Sequence, residues 1–191
     1  MTPTIALFAR FPSPGAAKTR LIPALGADGA ARLHRLLVER TVATIRASGL
    51  PFAVHVTGAP LADFANWLGA DVNLVEQGEG DLGARLARVS APAILLGADV
   101  PGLCAFHLTS AAQAVTKGKV VVGPALDGGY YLLGYDKPAP FLFNDMPWGT
   151  SSVLEVTLNR LSVHGISPAL LEPLDDCDRP EDLARWPELI A

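Results

Sequence analysis

Short, largely apolar runs alternate along the chain with segments whose apolar positions recur every three or four residues. The runs at 4–9, 52–56, 72–75, 93–97 and 120–122 predict strands, and the uninterrupted β-branched residues of 120–122 suit burial on both faces of a sheet. Between them, helices are expected at 28–48, 61–68, 82–89 and 106–117. In the first of these Asp28 can cap, Leu33, Leu36, Leu37 and Ile45 form the apolar face, and Gly49 is the stop. Repeated strand–helix units predict a largely parallel sheet covered by helices. The alternation breaks at Asp127-Gly128-Gly129, a turn signal with a strand at 130–135 directly behind it and no room for a helix, so the sheet becomes mixed there. A helix at 151–163 and a short strand at 168–171 follow. A last helix opens on Pro180, with Glu181 and Asp182 in its first turn. No linker interrupts the pattern, which predicts one domain over 1–191.

Composition narrows the classes. Half of the 191 residues are hydrophobic and 18% are charged, which excludes disorder and supports one well-buried core. Charge is uneven: residues 1–40 carry a net +4 and residues 172–191 a net −5. The formal charge of −4, with no Lys/Arg cluster, argues against nucleic-acid binding and leaves room for a local basic site. No apolar run reaches the length of a membrane span or a signal segment, so no membrane insertion and a cytoplasmic location are expected. Cys104 and Cys177 have no CxxC spacing and read as reduced thiols.

Four segments carry candidate chemistry. Pro14-Gly15-Ala16-Ala17-Lys18-Thr19 follows the first strand, but Pro12 and Ala17 occupy the places where a Walker A loop needs glycine. What remains is a Gly/Pro loop presenting Arg10, Lys18 and Arg20 at a strand's carboxyl end, suited to a polyphosphate; the plain alternative is a solvated loop. Gly78-x-Gly80-x-x-Gly83 imitates a dinucleotide fingerprint, yet Glu79 and Asp81 would repel a pyrophosphate, and a flexible loop is the simpler reading. Asp99 emerges as an apolar strand ends, and Pro101 stops that strand. Its partners are expected among Asp175, Asp176, Asp178, Glu181 and Asp182, a crowd that a divalent cation would relieve; a cation held by one or two carboxylates plus phosphates would need only Asp99 and one of them. The bland alternative makes Asp99 a helix cap and the acids a solvated cluster. Asp127-Gly128-Gly129 alone predicts a hairpin turn. His34, His55, His107 and His164 lie at no metal spacing, and no serine sits in a nucleophile elbow.

Taken in order, Phe8-Ala9-Arg10 with Pro14-Gly15-x-x-Lys18-Thr19-Arg20-Leu21, Gly80-Asp81-Leu82-Gly83-x-Arg85, Gly97-Ala98-Asp99-Val100-Pro101, Gly123-Pro124-x-x-Asp127-Gly128-Gly129-Tyr130-Tyr131-Leu132, Trp148-x-Thr150 and Asp176-x-Asp178-x-Pro180-Glu181-Asp182-Leu183 resemble one family. It is the radical-SAM/selenodomain-associated transferase 1 family of the glycosyltransferase-A, or nucleotide-diphospho-sugar transferase, superfamily. The resemblance implies a three-layer α/β/α Rossmann-like fold with a mixed, mostly parallel sheet. It implies that Arg10, Gly15, Lys18, Arg20 and the loop Gly80, Asp81, Leu82 and Gly83 bind the nucleotide. Asp99 with Asp178, or Asp176 in its place, would hold Mg²⁺ or Mn²⁺. Asp127, Gly128, Gly129, Tyr130, Trp148 and Thr150 would line the acceptor side, and Asp99, Lys18 and Asp127 would be catalytic.

The expected partners are thus a nucleotide-activated donor and a small-molecule acceptor. The leading expectation is glycosyl transfer from an NDP-sugar. Pro101, standing where such glycosyltransferases often carry the second Asp of Asp-x-Asp, keeps open nucleotidyl transfer from an NTP with release of pyrophosphate. A non-catalytic nucleotide-binding protein is the third reading. Arg179, where this family usually has Thr, leaves both flanking Asp residues in place.

Overall fold

The computed structural model describes residues 1–190. Its centre is a seven-stranded sheet of order β3-β2-β1-β4-β6-β5-β7, formed by β1 (Thr4–Arg10), β2 (Phe52–Thr57), β3 (Leu74–Glu76), β4 (Ala93–Leu96), β5 (Val121–Pro124), β6 (Tyr130–Tyr135) and β7 (Ala169–Leu170). Only β6 runs antiparallel, against β4 on one side and β5 on the other. This is the break expected at Asp127-Gly128-Gly129: five residues join β5 to β6, enough for a hairpin and too few for a crossover.

Alternate strand residues serve two cores. Ile5, Leu7 and Ala9 of β1 and Ile94 and Leu96 of β4 pack under α1 (Ile22–Ser48), α2 (Leu61–Leu68) and α4 (Ala105–Thr116). Ala6 and Leu95 face the opposite layer, where Leu86 of α3 (Leu82–Ala87) and Leu161 of α5 (Val153–Val163) close the core. The result is the three-layer α/β/α arrangement with a mixed, mostly parallel sheet.

Three local expectations shift. α1 begins before Asp28, at Ile22, and is broken at Gly26, whose φ of 69° an L side chain would strain. The last helix is a 3₁₀ turn over Pro180–Arg185. The N-cap of α4 is Cys104, with His107 reaching back to its amide, which leaves Asp99 free of capping duty.

A third cluster bears most on the site. Leu21, Leu33 and Leu37 of the N-terminal part enclose Cys177, Leu183 and Leu189. Burial of these residues presses the acidic C-terminal segment against the basic N-terminal loop.

Candidate functional site

Past β1 the chain leaves the sheet and returns at Lys18, whose φ of 50° places it in the left-handed region. The lysine side chain is 3% exposed. Its Nζ donates to the carbonyl of Cys177 at 2.7 Å and lies 2.8 Å from Asp99 Oδ1 and 3.4 Å from Asp178 Oδ1. The other oxygen of Asp178 accepts from Arg20 Nη1 at 2.7 Å. A backbone bond from the Cys177 amide to the Asp99 carbonyl, 2.8 Å, fixes the two acidic segments side by side. Upstream, the 171–174 stretch extends the sheet beside β5, with Leu174 bridged to Ala125. Sheet extension and apolar burial therefore carry Asp178 to Asp99.

Burial opposes both charges of the Lys18–Asp99 pair. Mutual attraction outweighs it: Lys18, facing Asp99 and Asp178, is held above its ordinary value, and Asp99, facing the ammonium, below its own. About half of the Asp99 side chain, 49%, remains open to the cleft.

On one side of this cluster a cavity of about 310 Å³ is lined by Arg10, His34, Gln77, Arg85, Gly97 and Asp99, among others. Gln77 is buried and donates to the carbonyls of His55 at 2.8 Å and Ala9 at 3.3 Å, while its Oε1 accepts from Arg85 at 3.4 Å. The His34 ring sits 2.9 Å from the Arg10 carbonyl, and burial pushes its pKa down. The loop running to Gly83 is a held structure. Arg85 donates to the Gly80 carbonyl, and Arg88 to those of Gln77 and Glu79. Asp81 caps α3 by accepting from the Ala84 amide at 2.8 Å. Gly83 is where α3 crosses the carbonyl of Phe143, at a separation with no space for a Cβ. Of the four loop residues expected at the nucleotide, Leu82 lines the cavity, whereas Asp81 and Gly83 have these structural duties.

On the other side, a slot of about 220 Å³ shares Phe8, Leu82 and Gly97 with the first cavity. It opens through Asp127, Gly149 and Thr150 into a polar cavity of about 630 Å³ beside the C-terminal acids. Asp127 holds its own turn, accepting from the Gly129 amide at 2.8 Å. Gly128, at φ 91°, lies against the backbone of Ser151 and gives its carbonyl to the amide of Leu154 near the start of α5. The hairpin is thus both the turn its sequence predicts and a wall of the cleft.

Three of the five crowded acids have partners. Asp175 pairs with Arg185 at 2.6 Å, Asp178 with Arg20 and Lys18, and Asp182 accepts from the amides of Asp178 and Arg179. Asp176 and Glu181 have no such partner among the described residues. Burial, then the carboxylate of Asp127, pushes the pKa of Asp176 up to about 6. Asp176 is influenced chiefly by Asp127, and of the two C-terminal acids expected near Asp99 only Asp178 forms an ion pair with Lys18. Among the described residues no three His, Cys, Asp or Glu side chains converge as a metal cage.

The structure thus brings Lys18, Arg20, Asp99 and Asp178 into one cluster, with Arg10 on the wall of the adjoining cavity. Asp127, Gly129, Tyr130, Trp148 and Thr150 line the slot on the far side. Gly15 lies in the exposed loop at φ 78° and lines none of these cavities. The sequence pattern assigns no role in the site to Gln77, His34 or the Cys177 carbonyl. Gln77 follows a short strand in a polar run, and a carbonyl ligand leaves no side-chain signal.

The sheet order, the single antiparallel strand and a cleft at the strands' carboxyl ends define the Rossmann-like fold shared by nucleotide-diphospho-sugar transferases and nucleotidyltransferases. The chain belongs to the family described as "Uncharacterized protein conserved in bacteria (DUF2064)", whose model matches residues 41–150. No curated protein matches it. Among solved structures it is similar to a protein of Desulfovibrio desulfuricans G20 that is provisionally named a nucleotide-diphospho-sugar transferase, with 28% identity over 94% of this chain and 84% of that one, at a TM-score of 0.83. A nucleotidyl transferase from Methanothermobacter matches 95% of both chains at 19% identity and a TM-score of 0.60. CMP:2-keto-3-deoxy-manno-octonic acid synthetase, solved with CTP, matches 100% of this chain and 98% of its own at 13% identity and a TM-score of 0.58. The last two similarities concern the fold. No described helix is long and apolar enough to cross a membrane.

Proposed function

We propose that the protein is a transferase that draws its group from a nucleotide-activated donor, with glycosyl transfer from an NDP-sugar to a small-molecule acceptor as the leading reaction. The convergence of Lys18, Arg20, Asp99 and Asp178 beside a cavity walled by Arg10 and Arg85 carries this reading. The similarity to the Desulfovibrio protein supports it. Membership of the radical-SAM/selenodomain-associated transferase 1 group, and action as a single cytoplasmic domain, are parts of the same proposal.

In this reading Arg10 and Arg20 bind the donor's phosphates, Arg85 adds a third cation at the cavity wall, and Lys18, its three donors engaged by Cys177, Asp99 and Asp178, adds its charge from beneath the carboxylates. Their fixed positive charge stabilises the departing diphosphate without reorganisation. Asp99 and Asp178 would hold Mg²⁺ or Mn²⁺. The fit is supported by geometry, since both carboxylates already face one cationic centre, the Lys18 ammonium, and two carboxylates plus phosphates suffice for such an ion. When bound, the metal supplies Lewis-acid neutralisation of phosphate charge. Across the slot, Asp127 orients the acceptor hydroxyl and Asp176, with a pKa near 6, takes its proton close to neutral pH.

A second reading, nucleotidyl transfer from an NTP to a phosphorylated acceptor, is favoured by Asp99-Val100-Pro101, in which proline stands at the third position of the motif. Labelled donors separate the two. Free NDP from an NDP-sugar supports glycosyl transfer, and pyrophosphate released from an NTP supports the second reading. A non-catalytic binding protein would form neither product.

A further inference from the structure

Cys104, His107 and Glu172 form a chain of hydrogen bonds that lines none of the three cleft cavities. Cys104 is a free, exposed cysteine at the N-cap of α4. Its Sγ lies 3.2 Å from His107 Nδ1, and His107 Nε2 lies 3.1 Å from Glu172 Oε1. One further bond sets the tautomer. The backbone amide of Cys104, 3.1 Å from the same Nδ1, can only donate, so Nδ1 carries no proton and the Nε2–H donates to the carboxylate. The thiol therefore faces a lone pair. The imidazole has little freedom to turn away: its side chain is 7% exposed, the ring of Tyr131 meets it edge-to-face at 6.3 Å, and the Tyr131 hydroxyl donates to the Glu172 carbonyl at 3.2 Å. A helix cap alone would account for His107 reaching back to the amide. It accounts neither for a thiol at a position where Ser, Thr, Asp or Asn is the ordinary cap nor for the carboxylate behind the ring.

We infer that Cys104 is a modification site for small disulfides, with His107 as its general base and Glu172 as the residue that positions the imidazole. A nucleophile, a base within hydrogen-bond reach and a third group that orients the base are the parts of an activated nucleophile. In the exchange His107 Nδ1 takes the thiol proton, and the Cys104 sulfur attacks one sulfur of the disulfide. That S–S bond breaks as the bond to Cys104 Sγ forms. The expelled half leaves as a thiolate and receives the proton from His107, so Cys104 is oxidised and the expelled half is reduced to a thiol. The class of reagent follows from the surroundings. The thiol is exposed and outside the cleft cavities, which suits a small reagent that needs only an open approach. Cys177 is wholly buried in the cluster with Leu21 and Leu33 and offers no second thiol to resolve the adduct, so the mixed disulfide is the product. The inference is independent of the donor and acceptor readings.

The test uses the full chain and the uncharged probe 2-hydroxyethyl disulfide at neutral pH, with adduct formation followed by intact mass and located by peptide mapping. A single adduct should form on Cys104, and Cys104→Ser should form none. In His107→Gln the glutamine, an ordinary residue at the third position of a capping box, keeps the bond to the N-cap amide while the base is lost. That variant should melt as wild type does and react about tenfold or more slowly. Glu172→Ala, at a side chain 69% exposed, should slow adduct formation severalfold. Glu172→Gln, which still accepts from the Nε2–H, should recover most of that loss. A purely structural cap would leave all of these rates alike. Modification of Cys177 in place of Cys104, or a His107→Gln rate equal to that of wild type, would overturn the inference. Should His107→Gln fail to fold, a Glu172→Ala rate equal to that of wild type overturns it.

Discussion

The ammonium of Lys18 and the carboxylate of Asp99 meet at 2.8 Å, in a pair whose lysine is almost wholly buried and whose aspartate is half open to the cleft. The pair makes stability depend on pH at both extremes. The pKa of Asp99 is lowered on folding, so its contribution is present above its ordinary value of 3.8 and is lost as pH falls through the folded value. That of Lys18 is raised, so its contribution is present below 10.5 and is lost as pH rises through the folded value. Asp99→Asn should cost about 1–3 kcal/mol at pH 7, because it leaves a buried ammonium with weaker partners. It should also flatten the acid limb. Urea unfolding at pH 3, 7 and 11 checks this.

Much of this site is legible in the sequence, for physical reasons. Lys18 and Arg20 follow the first strand, Asp99 follows an unbroken apolar one, and strand ends converge on one edge of a parallel sheet. The Asp127 turn is likewise local chemistry. Asp178 is different: nothing local in the sequence distinguishes it from Asp176. The choice is made by Cys177, whose buried side chain joins Leu21 and Leu33 while its amide and carbonyl bind Asp99 and Lys18. Partners of backbone groups and long-range packing leave no periodic trace. For the same reason Gln77 is invisible until β1 and β2 are side by side.

Lys18 stands between the two carboxylates assigned to the metal, so the ammonium and a divalent ion compete for them in the nucleotide-free protein. Lys18→Met should raise affinity for Mn²⁺ alone by about tenfold or more, the effect of removing one charge from the site. Electron paramagnetic resonance titration of Mn²⁺ measures it. Wild-type affinity equal to that of the variant would separate Lys18 from the metal position.

Asp176 carries a cost in the folded state. Its pKa is raised to about 6 by burial and by Asp127, so stability is greatest below 3.8 and declines as pH rises through 6. Asp176→Asn should therefore stabilise the protein at pH 7.5, by about 1 kcal/mol once solvent screening of this partly exposed group is allowed for. The gain should vanish below pH 4. The same variant should lose turnover by about 10²-fold or more if Asp176 is the base. Thermal melts at the two pH values, paired with a rate measurement, give both answers.

At Gly83 a methyl group would meet the Phe143 carbonyl, which neither chain can easily yield. Gly83→Ala should destabilise by about 1–3 kcal/mol through overpacking. A melt indistinguishable from wild type would mean that α3 shifts freely.

Calorimetric titration of nucleoside diphosphates and triphosphates of all five bases, with Mg²⁺ and with EDTA, tests the central claim most directly. At least one nucleotide should bind wild type, and bind about tenfold or more tightly with Mg²⁺ than with EDTA. Asp99→Ala should bind it with no such difference. A wild-type protein that takes up no nucleotide, or an Asp99→Ala variant with undiminished Mg²⁺ dependence, would contradict the account.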